Sequence, residues 1–301
     1  MARVSSCLAR LTVPRGAPVP PSSRMPPVIN VSAYRFVPLD GLETWRDTLR
    51  SLAEGSDLRG TILLGAEGIN LFVAGTREGI DTFVAQLRAL PPFVDLETKE
   101  SPGTLRPFRR LQVKIKREII AFGAAGTDPA VHPAPRISPE QLRAWLDEGE
   151  DVVLLDTRND YEVQIGSFRG ARHLGLSHFR DFPKAAAKIP DAWRTAKVVT
   201  FCTGGIRCEK AAPFLQQAGF SDVYQLDGGI LRYFERCGGA HYEGECFVFD
   251  ERVGVQPDLT PSGAILCDRC QRPITLLEQT APDFTPGTGC RSCRSAKAEG
   301  F

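Results

Sequence analysis

The chain has 301 residues, 42% of them hydrophobic and 24% charged, which suits ordinary globular cores, and its length suggests about two domains at roughly 150 residues each. That excludes a disordered or fibrous chain, and apolar runs such as Val152 to Leu155 fall far short of the ~18 residues that a membrane helix needs. With 37 Lys and Arg against 36 Asp and Glu, the net charge is +1, so no global field recruits nucleic acid and any such partner must meet a local patch.

In chain order, residues 1–27 form an expected disordered leader: Arg3, Arg10, Arg15 and Arg24 occur without an acidic residue, among prolines and with nothing to build a core. Two readings stay open, an organelle transit peptide and an upstream start codon with Met25 as the working start. From 28 to 122 the hydrophobic period alternates between two and 3.6. Val28 to Val37 reads as a strand, and Leu42, Trp45, Leu49 and Leu52 mark a helix that Asp40 can cap and Gly55 ends. Thr61 to Val73 reads as two strands broken by Gly65 and Gly68. Ile80, Phe83, Val84 and Leu87 give a second helix closed by Pro91 and Pro92, and a final strand pair follows. The order βαββαβ predicts an α+β domain of the ferredoxin or acylphosphatase type.

Between Thr104 and Arg117 the cations Arg106, Arg109, Arg110, Lys114, Lys116 and Arg117 occur with no acidic residue. Leu111, Val113 and Ile115 alternate with Arg110, Gln112, Lys114 and Lys116, so a strand here would bury the aliphatic set and present a basic face to RNA phosphates. The bland alternative is a solvated strand face. Residues 123–136, with Pro129, Pro133 and Pro135, read as a linker. From 137 to 240 short apolar runs, Val152 to Leu155 and Val198 to Phe201, alternate with amphipathic stretches such as Pro139 to Leu146, predicting an α/β domain around a parallel sheet.

Val198 to Leu215 is the segment with the most chemistry in it. A strand stops at Cys202, a helix starts near Arg207, and Thr203, Gly204, Gly205 and Ile206 lie between. Such a turn aims backbone N–H groups and the positive helix end at one point, which would hold Cys202 as a thiolate at neutral pH, with Arg207 as a nearby cation. For an isolated turn of this kind, a buried structural cysteine is the competing explanation.

The string Cys202-x-x-Gly205-x-Arg207 resembles the rhodanese loop. The flanks agree: Leu155-Asp156-Thr157-Arg158 with Glu162 resembles the first rhodanese signature, and Gly219-Phe220 with Leu226-Asp227-Gly228-Gly229 the last. The six-residue loop has the sulfur-handling length, one shorter than in the related dual-specificity phosphatases, which disfavours phosphatase activity. Cys208 follows the arginine where ordinary rhodaneses have a small residue. Together with Gly68-Ile69-Asn70, Pro107-Phe108-Arg109-Arg110-Leu111, Arg158-Asn159-Asp160-Tyr161-Glu162, Phe179-Arg180-Asp181-Phe182-Pro183 and Phe247-Val248-Phe249-Asp250-Glu251-Arg252, it resembles the bacterial rhodanese-containing tRNA uridine hydroxylases. That resemblance implies an acylphosphatase-like domain before a rhodanese domain, and conversion of wobble uridine 34 in the tRNA anticodon loop to 5-hydroxyuridine with molecular oxygen as co-substrate. It implies Cys202 as the reactive thiolate, Cys208 as a second thiol and Arg207 as a stabiliser of negative charge. The alternatives are a persulfide sulfurtransferase acting on tRNA or a protein, and a non-catalytic RNA-binding module, which would have no need of a thiol in such a turn.

The C-terminal extension, 241–301, carries Cys267-x-x-Cys270 and Cys290-x-x-Cys293 separated by 19 residues, the spacing of a four-thiolate structural zinc site. A redox pair or exposed tail thiols are the alternatives. Cys7, Cys237 and Cys246, and the histidines His132, His173, His178 and His241, show no ligand spacing. No flavin or nicotinamide fingerprint is present. Nine cysteines, an odd number with four in CxxC pairs, fit metal binding in a reducing cytoplasm better than a disulfide framework. Composition leaves the oligomeric state open.

Overall fold

Alternating apolar residues lay the first sheet on two helices. The computed structural model describes residues 28–103, 108–124 and 127–293. The expected leader, Arg106 and the last eight residues lie outside them. The first unit contains β1 (Val28–Phe36), α1 (Leu42–Gly55), β2 (Arg59–Gly65), β3 (Gly68–Thr76), α2 (Arg77–Arg88), β4 (Thr98–Gly103) and β5 (Leu111–Ile115). The sheet order is β4-β1-β3-β2-β5, antiparallel except for the parallel pair β2 and β5. Ile62, Leu64, Leu71 and Val73 on one face pack with Leu49 and Ala53 of α1 and with Ile80, Phe83 and Leu87 of α2. The expected α+β layer is present, with two differences. Gly41, in the left-handed conformation (φ 62°), caps α1 in place of Asp40 and makes no side-chain cap. The last two strands do not pair with each other but take opposite edges of the sheet.

The second unit contains β6 (Arg136–Ile137), α3 (Pro139–Asp147), β7 (Val152–Asp156), α4 (Asp160–Val163), β8 (Gly166–Phe168), β9 (Arg172–His173), α5 (Phe182–Ala186), β10 (Lys197–Phe201), α6 (Ile206–Gln217), β11 (Asp222–Leu226) and α7 (Gly229–Cys237). Its parallel sheet runs β6-β11-β10-β7-β9, with α6 packed on β11 and β10. This is the expected rhodanese-like α/β layer. Phe122 packs into this second core, its ring 5.3 Å from Phe179 and 5.5 Å from Phe214. Short ribbons follow, β12 (Tyr242–Gly244), β13 (Cys246–Phe247), β14 (Gly254–Val255), β15 (Ile265–Leu266) and β16 (Pro273–Ile274), with α8 (Leu276–Gln279) after them. No helix among the described residues is long and apolar enough to cross a membrane.

The second face of the first sheet is covered, because β3 is buried on both faces. The cover is α6 and its neighbours. Lys210, 2% exposed, pairs with Glu67 at 2.8 Å and Glu118 at 2.9 Å. The Tyr34 hydroxyl donates to Glu209 Oε1 at 2.9 Å, and Arg136 holds the same oxygen at 2.7 Å. Arg232 joins Glu97 of the first unit to Asp227 of the second, each at 2.5 Å.

Charges sealed this way are costly to unpair. Lys210→Met is therefore expected to lower stability by about 1.5–3 kcal/mol, the range for charged hydrogen bonds, read from the urea midpoint. An unchanged midpoint would mean that α6 is held by its apolar contacts alone.

Candidate active site

Strand β10 is buried along almost its whole length and delivers Cys202 to the first turn of α6 with no exposed surface. Gly205 caps that helix in the left-handed region (φ 96°), and a Cβ there would meet the Tyr34 hydroxyl at 2.9 Å, so only glycine fits. The Gly205 N–H donates to Cys202 Sγ at 3.1 Å, and the Arg207 N–H and the Cys208 thiol contribute to holding the charge on the same sulfur. Burial alone would push this thiol up. The Cys208 hydrogen bond, the Arg207 charge and the two backbone donors outweigh it and bring Cys202 down to about 5. Burial and the neighbouring Cys202 push Cys208 well above the ordinary thiol range, so the pair holds one thiolate and one thiol.

The loop is fastened from three sides. Ile230 and Leu231, in the first turn of α7, donate their N–H groups to the carbonyls of Cys202 and Thr203 at 2.9 and 3.0 Å. Gly229 permits that approach, since its Cβ would lie 2.4 Å from the Cys202 carbonyl oxygen. Thr203 Oγ1 donates to the Phe247 carbonyl at 3.2 Å. Arg207 does not point a free cation at the sulfur: its guanidinium grips buried Glu162 in two bonds of 2.5 and 2.7 Å. Beneath it, Asp156 and Arg158 form a fully buried pair at 2.6 Å.

Above the loop lies a cavity of about 550 Å³, within the usual size of small-molecule sites. Cys202, Thr203, Gly204, Ile206 and Arg207 form its floor, and the face of the first sheet turned away from α1 and α2 forms its roof. Phe72, Phe108, Phe179 and Phe249 line the sides, and Lys99 and Lys116 reach it.

Of the basic strip, Arg110, Lys114 and Lys116 are exposed and Val113 is buried, as the alternation predicts, while Leu111 and Ile115 are only half-buried and Arg109 and Arg117, on the aliphatic parity, are exposed as well. Arg109 lies 3.6 Å from Glu251. Gln112 and Lys114 stand opposite Thr61 and Leu63, which line the cavity, so the basic face and the cavity share one side of the sheet.

The four CxxC thiols converge, with all sulfurs within 4.8 Å of one another. The Cys270–Cys290 and Cys267–Cys293 separations are 3.6 and 4.0 Å, close to the ~3.8 Å edge of a tetrahedron of thiolates at ~2.3 Å from a central ion. The Cys290 N–H donates to Cys267 Sγ at 3.1 Å, the outer hydrogen bond such sites use. These residues can hold a metal ion. Cys246 is buried and its thiol is pushed up to about 12 by burial, which suits a packing role.

Reading the chain alone misses Glu209, Lys210, Tyr34 and Lys99. Glu209 and Lys210 follow Cys208 directly, and charges set among Ile206, Ala211, Ala212 and Leu215 were the available signal.

Comparison with known proteins agrees with this architecture. Residues 28–119 match the UPF0176 acylphosphatase like domain and residues 138–235 the Rhodanese-like domain. The tRNA uridine(34) hydroxylase of Cupriavidus metallidurans is 46% identical over 88% of this chain and 96% of that protein. The enzyme of the same name from Ralstonia nicotianae is 47% identical over 90% and 98%. Among solved structures, the rhodanese-like domain of an Anabaena protein is 22% identical, with a TM-score of 0.31 over 36% of this chain and 79% of that one. A rhodanese-like protein of Staphylococcus aureus is 21% identical, with a TM-score of 0.28 over 33% and 90%. With relatives this similar over nearly their whole length, the chain belongs to the tRNA uridine(34) hydroxylase family.

Proposed function

We propose that this enzyme hydroxylates C5 of uridine 34 in the anticodon loop of tRNA with molecular oxygen, and that Cys202 is the group that engages the base. The observation that carries this reading is a buried cysteine, held by the Gly205 N–H at the start of α6, that lines a cavity large enough for a nucleotide. A base enters such a cavity only when unstacked, which an exposed tRNA loop allows, and the four phenylalanines offer it apolar walls. Cys208 keeps a proton beside the thiolate and serves as the second thiol. Arg207 acts through Glu162 and through its own N–H, fixing the loop as well as supplying charge. The basic face beside the cavity holds phosphates, and zinc occupies the four-thiolate site as a structural ion. Free thiols and a tRNA substrate fit a cytoplasmic enzyme.

Position 34 should carry 5-hydroxyuridine in cells whose only copy is the wild-type protein, and unmodified uridine when that copy is Cys202→Ser, which keeps the shape but removes the thiolate. Sulfur in place of oxygen on the tRNA would favour a persulfide transferase. Only the thiolate is alkylated, so reaction of Cys202 with iodoacetamide should rise with pH, reach half-maximum near about 5 and stay on its plateau at pH 7. A midpoint near the ordinary ~8.5 would remove the thiolate from the account.

Purified protein should contain about one zinc per chain, lost on Cys267→Ser together with thermal stability. Metal-free protein of unchanged stability would contradict a structural zinc. Replacing Arg110, Lys114 and Lys116 with Gln should weaken tRNA binding and flatten its log–log salt slope by up to about three units, at roughly 0.7–0.9 per phosphate contact. An unaltered slope would make the strip a solvated face.

A further inference from the structure

We propose that Lys99 is a catalytic residue of the uridine reaction: its ammonium meets the negative charge that develops on uracil O4 when the Cys202 thiolate adds to C6 of the ring. This rests on the reading that Cys202 engages the base.

Lys99 comes from the other unit. It sits on the edge strand β4 opposite Ser32, and both residues line the cavity above Cys202. Its Nζ lies 5.0 Å from the centre of the Tyr34 ring, which points the side chain inward over β1. Arg252 holds the strand in place by donating to Ser101 Oγ at 2.7 Å, two residues further on.

The nearby cations divide clearly. Arg207 is bound to Glu162, Lys210 to Glu67 and Glu118, and Arg232 to Glu97 and Asp227. Lys116 is exposed at the rim. Lys99 forms no ion pair among the described residues, so a cation in the active cavity is left to act on what enters it. Burial, with Arg232 beside it, lowers this ammonium to about 8. It therefore remains mostly protonated at pH 7 and is a better proton donor than an ordinary lysine.

The step conserves atoms and electrons. A sulfur lone pair forms the S–C6 bond, the C5=C6 π pair moves between C4 and C5, and the C4=O4 π pair moves onto O4. The enolate oxygen accepts a hydrogen bond or the proton from Lys99. No oxidant takes part, and the product is a ring whose C5 is electron-rich, the carbon that the reaction must oxidise. Pre-placed positive charge at a developing oxyanion is where electrostatic catalysis contributes most.

The test uses a tRNA transcript with 5-fluorouridine in place of uridine, which arrests the reaction as a covalent Cys–C6 adduct visible as a shifted band. The full-length wild type should form the adduct and Cys202→Ser should not. Lys99→Met should form it about 10²–10³-fold more slowly, as for loss of one oxyanion donor, and Lys99→Arg should recover most of the rate. Lys99 also interacts with the Cys202 charge, but Cys202 is held down to about 5 mainly by its own loop, so iodoacetamide reactivity at pH 7 and tRNA affinity should stay close to wild type in both Lys99 variants. Adduct formation at the wild-type rate in Lys99→Met would overturn the proposal. So would a parallel fall in alkylation, which would place Lys99 behind the thiolate rather than at the base. Wild-type protein that makes 5-hydroxyuridine but no adduct would overturn ring addition, and the role of Lys99 with it, while leaving the proposed function standing. Adduct formation without any 5-hydroxyuridine would instead overturn the hydroxylase reading.

Discussion

Two consecutive charged residues on a buried helix, Glu209 and Lys210, hold the molecule together at the point where its chemistry lies. Lys210 reaches Glu67 and Glu118, and Glu209 receives Tyr34 and Arg136, so the first sheet is drawn down onto α6. Buried charges tolerate little displacement, because each loses its partner before it regains water. The separation of sheet and helix is thereby set, and with it the height of the cavity above Cys202. Gly205 shows how close that approach is, since the Tyr34 hydroxyl occupies the space a side chain would need.

The sulfur itself is governed by a balance of opposing effects. Burial disfavours a thiolate, and the loop answers with the Cys208 thiol, the Arg207 charge and two backbone donors. Most of these belong to residues that sit on the first turn of α6 or cap it, so the geometry that aims them is the geometry of the helix start. Tying Arg207 to Glu162 keeps that start rigid, while Lys99 reaches the cavity from the first unit. On the proposed reading the two units divide the work: the second prepares the nucleophile, and the first encloses the base and supplies Lys99.

Much of this was legible from the sequence because it is local. The Cys202 to Cys208 string, the helical faces at Leu49 and Phe83, and the CxxC spacing are read from neighbours a few residues apart, and the structure contains each of them. What was not legible depends on tertiary contact. Asp40 is a better cap than glycine by propensity, yet the chain turns through Gly41 in the left-handed conformation. Strands β4 and β5 follow one another but sit on opposite edges, a choice made by packing. Lys99 lies in Thr98–Gly103, where no apolar alternation marks a buried face, and only the docking of the second unit turns it into a cavity residue. The chain alone shows Arg207 as a cation near Cys202 but not its pairing with Glu162, 45 residues away, which carries no local signature.

The central claim is that uridine 34 is received between the two units, against Cys202. A tRNA carrying photoreactive 4-thiouridine at position 34, crosslinked to the protein and mapped by mass spectrometry, tests it most directly. The account predicts crosslinked peptides from both walls, around Phe72 and Phe108 in the first unit and around Cys202 and Phe249 in the second. Crosslinks confined to one unit, or to surfaces away from this cavity, would contradict it.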